Sequence, residues 1–338
     1  MATFVRVQEV EHDLGPTGRV ALRVTNPDVE LRGVDGTVAR VRIEFAIRAS
    51  TENEADEILE RVKLRVRQAP GSLEVSEPKD GDSGLGSIVR ILGFGNARVD
   101  GRIVAEVPEG AEIAYTGVSA DLVGIGLVGT QEYRTVSGDL VLSDLAGRVR
   151  VNGVSGDVSL RAEAPLWLQA NTVSGDLSVI GPRLEECRVI TVSGDVELEG
   201  ALAGGVEHRV ETVSGDLWFG AAGGLTLEVR GLSTDVDVNV SHRSEGSRDR
   251  RRYVVGDGSA RLLFSSMSGD VAIAAARRVA AGDLRLADAP APPTPPTPPT
   301  PPAPPSPALP DDEQLRILRA LERGEIDVEE ASRLLAGS

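Results

Sequence analysis

The chain has 338 residues and a formal net charge of −16, with 52 acidic against 36 basic side chains. This balance argues against a nucleic-acid partner, because neutralisation of phosphates by lysine and arginine supplies most of that affinity. The single cysteine, Cys187, excludes an internal disulfide framework. No apolar stretch reaches the ~20 residues of a membrane span, and the N-terminus lacks the apolar run of a signal peptide. The sequence therefore predicts a cytoplasmic protein.

Residues 1–110 are predicted to form a small α/β cap that includes one strand–turn–strand segment. That segment, Val24–Leu31, places Asn-Pro-Asp between two apolar strands. Thr51-Glu52-Asn53-Glu54 has the pattern of a capping box and predicts a helix that ends near Arg61. Further strands are predicted near residues 62–66, 72–76 and 99–107. We expect the helix to cover the open end of a sheet, where unpaired backbone groups favour aggregation.

The middle of the chain repeats the signature Val-Ser-Gly-Asp, first seen clearly at 136–139. Including weaker copies, the repeats end at Asp121, Asp139, Asp157, Asp176, Asp195, Asp216, Asp235 and Asp270. Successive aspartates are 18, 18, 19, 19, 21, 19 and 35 residues apart. The last interval is nearly two periods long, which predicts one repeat that has lost its signature.

Alignment on the aspartate reveals three apolar columns, six residues before it and one and three residues after it. The column six residues before the aspartate contains Tyr133, Val151, Ala170, Val189, Val210 and Val229. The column one residue after it contains Leu140, Val158, Leu177, Val196, Leu217 and Val236. The column three residues after it contains Leu142, Leu160, Val179, Leu198, Phe219 and Val238. Alternation of period two indicates strands with one buried face. The repeat is too short to bury that face alone, so stacking of copies is required. We predict an all-β fold over residues 1–286: a single β-solenoid of about 19-residue rungs, with its repeats in 111–286.

Two smaller parts follow. Residues 287–310 are a Pro-rich linker, typical of extended polyproline II. Residues 311–338 predict a two-helix hairpin, whose apolar side chains are Leu315, Leu318, Leu321, Leu334 and Leu335. Helices this short are marginal alone, so we expect the hairpin to associate with a protein partner or with a second copy.

The rung signature Thr-Val-Ser-Gly-Asp, seen at 135–139, 172–176, 191–195 and 212–216, resembles that of the bacterial DUF4097 family, whose members are often labelled adhesins. The resemblance extends to the lead-in at 104–110, and the C-terminal segment is similar to the SHOCT-like helical hairpin. It implies a β-solenoid with a binding or scaffold role, no catalytic residues, and in some relatives a link to envelope-stress signalling. The chain lacks an export signal, which argues against adhesion at the cell surface.

The repeated aspartates can be explained in two ways. In the structural interpretation, glycine adopts a left-handed turn while the aspartate accepts backbone N–H bonds. In the functional interpretation, calcium binds between rungs to a ladder of Asp139, Asp157, Asp176, Asp195 and Asp216. The glycine-rich pattern of calcium-binding solenoids is absent, which favours the structural interpretation.

A second candidate pair, Cys187 and His208, falls in one inward column, eight residues before the aspartate. A thiol and an imidazole on adjacent rungs could bind a metal or form a nucleophile. No third group completes either site, so we interpret both as core residues. The sequence indicates no cofactor.

Two basic features are candidate partner-binding surfaces in this acidic chain. One is an outward stripe of Arg150, Gln169, Arg188, Arg209 and Glu228. The other is a predicted loop, His242–Arg252, that contains Arg248, Arg250, Arg251 and Arg252. A solvated face remains the alternative for each.

Trp167, Trp218 and the Gly-rich segment 81–96 are further candidates for an apolar contact site. The alternative is an intramolecular cover over the end of the solenoid.

The preferred function is a non-enzymatic interaction scaffold, in which a rigid solenoid presents surface rows and the hairpin recruits a partner. The alternatives are a polymer-forming structural protein, a surface adhesin, and more remotely a polysaccharide-active solenoid enzyme. The scarcity of aromatic residues argues against the enzyme, since such enzymes use aromatic rings to hold sugar chains.

Overall fold

The computed structural model describes residues 2–78, 99–247 and 250–277. Within these ranges, 22 strands belong to one open sheet, and a single helix accompanies them. The fold is mostly β and β-solenoid-like. The Pro-rich linker, the predicted hairpin and the segment 81–96 lie outside the described residues.

The first part of the chain contains β1 (Ala2–Asp13), β2 (Arg19–Val24), β3 (Asp28–Val34), β4 (Val38–Ala49), α1 (Glu52–Val62), β5 (Arg65–Ala69), β6 (Ser72–Ser76) and β7 (Val99–Pro108). The repeats contain β8 (Glu112–Gly117), β9 (Leu122–Ile125), β10 (Thr130–Thr135), β11 (Leu140–Gly153), β12 (Val158–Asn171), β13 (Leu177–Ile190), β14 (Val196–Leu202), β15 (Glu207–Glu211) and β16 (Leu217–Ala221). The last part contains β17 (Leu225–Gly231), β18 (Val236–Val238), β19 (His242–Ser247), β20 (Arg250–Val255), β21 (Ala260–Ser266) and β22 (Val271–Ala275).

Each rung consists of a first arm, a tight turn that contains the repeated signature, and a second arm. First arms pair in parallel with first arms, as when Tyr133 lies between Tyr115 and Val151. Second arms do the same, so that Leu140 lies between Leu122 and Val158. The long strands β11, β12 and β13 each carry the second arm of one rung and the first arm of the next, with register shifts between the two.

The core is built from the three predicted apolar columns. Their members are buried, apart from Val236 and Val238 of the terminal β18, which are partly buried and packed against the core. Side chains from both arms belong to one continuous cluster. The prediction of which residues face inward is therefore confirmed across the repeats.

The order of rungs at the C-terminal end differs from the order of the sequence. Strand β21 pairs in parallel with β15 on one side and with β17 on the other, and β22 lies in the same way between β16 and β18. The rung of β21 and β22 is thus inserted before that of β17 and β18. The prediction of a further repeat that has lost its signature is wrong. Residues 242–255 instead form an antiparallel hairpin, β19–β20, whose second strand pairs with β17.

A corresponding insertion occurs at the N-terminal end. The predicted strand–turn–strand segment forms β2 and β3, which lie between β6–β7 and β8–β9. Antiparallel strands then follow outward, with β5 on β6, β4 on β7 and β1 on β4. The N-terminal end of the described stack therefore finishes in antiparallel strands. At the C-terminal end only the first arm does so, through β20 and β19, whereas the second arm finishes at β18, which is parallel to β22.

The predicted N-terminal helix is confirmed as α1. Thr51 is its N-cap, and the Thr51 hydroxyl oxygen accepts the backbone N–H of Glu54 at 3.2 Å. The Glu54 carboxylate in turn accepts the backbone N–H of Ser50, the residue before the N-cap, at 2.7 Å, so the second bond of the capping box is shifted by one residue. Ala55 is fully buried, and the helix contacts β4 and β1. The helix therefore packs on the N-terminal strands.

Engineered disulfides test the inserted rung. Glu207 lies directly opposite Arg261, and Arg261 directly opposite Thr226. Neighbouring strands are about 4.8 Å apart, which lies within the separation of about 4.4–6.8 Å that a disulfide needs between Cα atoms. Strands that are separated by a third strand exceed this range. We expect Glu207→Cys with Arg261→Cys to cross-link under mild oxidation, and Glu207→Cys with Thr226→Cys to stay reduced, as judged by mass spectrometry. The opposite pattern would mean that the rungs stack in chain order.

Candidate functional site

The repeated aspartates form a continuous hydrogen-bonded file. In each rung the aspartate Oδ1 accepts the backbone N–H of the aspartate one rung further, at 2.8–3.0 Å. The spatial order is Asp121, Asp139, Asp157, Asp176, Asp195, Asp216, Asp270 and Asp235. We call this row the aspartate file. Hydrogen bonds to a charged acceptor are stronger than neutral ones, which offsets repulsion between adjacent carboxylates.

The calcium interpretation gains no support from this arrangement. In every carboxylate except that of the terminal Asp235, one oxygen already accepts a backbone N–H from the next turn. Among the described residues no cluster of three or more His, Cys, Asp or Glu side chains could hold a metal ion. Gly156, Gly175 and Gly194 have positive φ values of 110°, 113° and 123°, as the structural interpretation expects, whereas Gly138, Gly215 and Gly269 of the other Ser-Gly-Asp turns do not.

Substitution of Asp176 distinguishes a hydrogen-bonding role from a metal site. Asp176→Asn keeps an oxygen that accepts the Asp195 N–H, so we expect an unchanged or slightly higher melting temperature. Asp176→Ala removes that acceptor and should lower the free energy of unfolding by about 1 kcal/mol. Calcium should leave the melting temperature of the unmodified protein unchanged in calorimetry. A calcium-dependent rise that Asp176→Asn abolishes would contradict this account.

Cys187 and His208 lie on adjacent strands inside the core, and both are fully buried. The Cys187 backbone N–H donates to His208 Nδ1 at 3.1 Å, and His208 Nε2 lies 3.0 Å from the carbonyl oxygen of Ala203. These contacts define a neutral imidazole that accepts at Nδ1 and donates at Nε2. Burial raises the pKa of the Cys187 thiol to about 12, with a smaller contribution from the charge of Glu186. The pair is therefore a satisfied part of the core, and the thiol is poorly suited to be a nucleophile.

The His208 imidazole should make stability sensitive to acid. Burial lowers its pKa below the ordinary value of 6.5, against smaller opposing effects of the Ala203 hydrogen bond and the charges of Glu186 and Glu185. The unfolded state therefore binds a proton more readily, and stability falls as the pH drops below about 6.5.

We expect His208→Leu to reduce this pH dependence in urea titrations between about pH 8 and pH 5. At pH 8 it should be less stable by about 1–3 kcal/mol, because two buried backbone groups lose a partner. His12→Gln, at a half-buried site outside this column, is the control and should retain the pH dependence. An unaltered pH dependence in His208→Leu would refute the role of this imidazole.

The predicted arginine stripe is only partly continuous. Arg150, Gln169 and Arg188 lie side by side on β11, β12 and β13, with Arg209 next to Arg188. Arg209 is ion-paired, its Nε lying 2.9 Å from Glu211 Oε1. Glu228 is not a neighbour of Arg209, because Leu263 of the inserted rung lies between them.

The second basic feature is a hairpin and not the predicted loop. Arg251 donates from Nη2 to the carbonyl oxygen of Thr234 at 2.6 Å, so it holds the hairpin against the neighbouring turn. Arg252 lies 3.9 Å from Glu245 on the opposite strand. Arg248 lies outside the described residues, and only the backbone of Arg250 is described. Arg251 and Arg252 therefore already have partners within the described residues.

The two tryptophans lie on different arms and do not form one site. Trp167 is on the first arm and 38% exposed. Trp218 is half-buried on the second arm, and the Arg277 guanidinium lies 4.6 Å from its ring centroid while also pairing with Glu197 at 3.3 Å. The third candidate, segment 81–96, is outside the described residues.

The best candidate site is a group of five outward side chains that we call the tryptophan–arginine patch. It consists of Arg148, Arg150, Trp167, Gln169 and Arg188. Arg148 lies directly opposite Trp167, and Gln169 lies between Arg150 and Arg188. Successive side chains on a strand point to opposite faces, so the buried neighbours Val149 and Leu168 fix these residues outward. Sequence reasoning missed Arg148, although it lies two residues before Arg150 and therefore on the same face.

The patch lines an open depression with a volume of about 170 Å³, to which Glu186 also contributes. Over the described residues, none of its three arginines has a carboxylate within ion-pair distance. By contrast, Arg134 and Arg209 on flanking strands bind Glu132 and Glu211 at 2.7 and 2.9 Å. The patch therefore presents uncompensated positive charge around an exposed indole, on a protein of net charge −16.

The stacked rungs define a β-solenoid-like protein. The chain belongs to the Toastrack DUF4097 family, which matches residues 17–274. No curated protein matches the chain. Within the described residues, no helix has the length and apolar character to cross a membrane.

Several solved bacterial structures resemble the chain. A "putative adhesin" from Bacteroides fragilis is 12% identical, over 80% of this chain and 97% of that one, with a TM-score of 0.45. A "putative lipid binding protein" from Parabacteroides distasonis is 10% identical, over 80% and 96%, with a TM-score of 0.35. A "putative cell adhesion protein" from Clostridium sporogenes is 11% identical, over 79% and 99%, with a TM-score of 0.23. Family membership, and not these likenesses, identifies the fold.

Proposed function

We propose that the protein is a non-enzymatic interaction scaffold that binds an acidic protein partner through the tryptophan–arginine patch. The observation that carries this proposal is the absence, over the described residues, of ionic partners for Arg148, Arg150 and Arg188 around exposed Trp167. Tryptophan and arginine are the residues most enriched at the energetic centres of protein interfaces. An acidic partner would supply the carboxylates that these guanidinium groups lack.

The fold supports this role because it holds the patch rigidly. Strand β12 is hydrogen-bonded on both sides, to β11 and β13, so Trp167 and Gln169 have little backbone freedom. Arg150 and Arg188 occupy matched positions on either side of it. A preorganised surface loses less conformational entropy on binding, which favours affinity.

The alternatives are less well supported by the described residues. A polymer that grows by adding parallel rungs is disfavoured at the N-terminal end, where antiparallel β1 ends the stack, and on the first arm of the C-terminal end, where β19 does so. The polysaccharide-active enzyme would need clustered carboxylates, whereas the depression beside Trp167 is lined by one acidic residue, Glu186.

The remaining parts of the proposal rest on the sequence. We propose that the C-terminal segment, with Leu315, Leu318, Leu321, Leu334 and Leu335, is a SHOCT-like hairpin that recruits a protein partner or a second copy. A cytoplasmic location and a link to envelope stress likewise stay predictions. Partner capture by the full chain and by a chain ending before residue 311 would separate the hairpin from the patch.

The direct experiment uses the full chain to isolate a partner and then measures its affinity by calorimetry. We expect Arg150→Ser with Arg188→Ser to weaken binding at least about tenfold, or ~1.4 kcal/mol, and Trp167→Ala to do the same. The charge-matched control is Arg134→Ser with Arg183→Ser, whose arginines are already ion-paired with Glu132 and Glu185. The affinity of the control variant for the partner should stay within about twofold of that of the unmodified protein. Equal binding by all variants, with unchanged melting temperatures, would exclude the patch.

A further inference from the structure

A row of exposed apolar side chains follows the turn edge of the solenoid. The row contains one residue from each of eight turns, in the spatial order Val118, Val136, Val154, Val173, Val192, Val213, Met267 and Leu232. Their exposed fractions run from 36% at Val118 to 88% at Leu232. We call this row the apolar ridge. It lies on a different part of each rung from the tryptophan–arginine patch, so binding at the ridge does not depend on binding at the patch.

Backbone hydrogen bonds place the ridge residues in single file. From the second ridge residue onward, the serine that follows it donates its N–H to the ridge carbonyl one rung back, as Ser155 does to Val136 and Ser174 to Val154, both at 2.8 Å. The same bond continues through the inserted rung, since Ser268 donates to Val213. The ridge side chains are therefore one strand spacing apart, about 4.8 Å.

The turn itself does not require an apolar side chain at this position. The aspartate supplies hydrogen bonds to the next turn and the glycine supplies a positive φ in three of the turns, whereas the ridge residue takes part through its carbonyl group. A polar β-branched residue such as threonine would fit the same backbone. Scattered exposed valines are ordinary, but an unbroken row of eight is typical of a contact surface.

The aspartate file runs beside the ridge, three residues further along each rung. Within the described part of the chain, none of its carboxylates is in an ion pair. A ligand that covers the ridge must therefore combine an apolar stripe with positive charge along one flank. An anionic membrane surface and a second copy of the same edge would each bring negative charge toward this file.

The spacing of the ridge identifies the form of such a ligand. An α-helix repeats its contact face about every 5.4 Å, only about 0.6 Å more than the rung spacing of about 4.8 Å, so helix and ridge stay within half a rung of each other over about four rungs. An extended strand repeats its face only about every 6.8 Å and falls out of step after two rungs. Eight rungs span about 34 Å, which is the length of a helix of about 22 residues.

We propose that the apolar ridge binds a cationic amphipathic helix of another protein, with the helix axis along the solenoid. The apolar stripe of the helix contacts the valines, and its lysine or arginine side chains face the aspartate file. Amphipathic helices are recognised through apolar side chains that recur about once per turn, here the ones that would contact the valines.

The test uses a synthetic helical peptide of about 22 residues, with leucines on one face and lysines on the flanks. We expect it to bind the full chain in fluorescence anisotropy and to bind less tightly as salt increases. The combined substitution Val154→Thr, Val173→Thr and Val192→Thr keeps side-chain shape and should weaken binding at least about tenfold. Asp157→Asn with Asp176→Asn and Asp195→Asn keeps the accepting oxygens, and should weaken binding chiefly at low salt.

The matched control is Val123→Thr with Val141→Thr, two exposed valines on the outer face of the second arm. We expect this control to bind within about twofold of the unmodified protein, and a peptide with glutamates in place of lysines not to bind. Equal binding by the ridge variant, equal binding of the glutamate peptide, or no binding of either peptide would each overturn the proposal. Self-association that the ridge variant abolishes would also overturn it, because the occupant would then be a second copy.

Discussion

The hydrogen bonds between one turn and the next are the constraint on which the described structure depends. Each aspartate carboxylate accepts the N–H of the next aspartate, and each serine N–H binds the ridge carbonyl of the preceding rung, so that neither arm can slip. A slip by one residue would turn the buried columns outward. The hydrogen bonds between turns thus fix the register of both arms. Because of that register, residues that repeat in the sequence form continuous rows of side chains.

The surface properties follow from this register. A residue type that recurs at one position of the repeat becomes a file of like side chains, spaced by a single strand distance. Valine before the serine produces the apolar ridge, and aspartate after the glycine produces the file beside it. Where the repeat varies, as at Arg150, Gln169 and Arg188, the result is a local patch. Such a protein can carry distinct binding surfaces on one rigid body, which is the physical basis of the scaffold proposal.

The sequence predicted the features that depend on local pattern. Two-residue alternation identified the inward columns, and Thr51 with Glu54 identified the start of α1, because both signals lie within a few residues. The order of the terminal rungs was not predictable in this way. The interval of 35 residues before Asp270 indicated a lost repeat, whereas the chain forms a hairpin and returns to fill the place beside β15. Pairing between strands that are distant in the chain does not affect the spacing of the repeat. The position of Leu263 beside Arg209 could therefore not be predicted from the sequence. The pair Arg209–Glu211, by contrast, lies two residues apart on one face and could have been anticipated.

The most direct test of the account measures distances along the turn edge with pairs of spin labels. Labels at Ser119→Cys and Ser214→Cys lie five rungs apart and should give about 24 Å, plus the reach of the labels. Moving the second label to Ser268→Cys should give about 29 Å, and moving it to Ser233→Cys about 34 Å. The account therefore predicts that residue 268 is nearer to residue 119 than residue 233 is, although it is further along the chain. The reverse order, or distances that do not increase in equal steps, would contradict in-register stacking with an inserted rung.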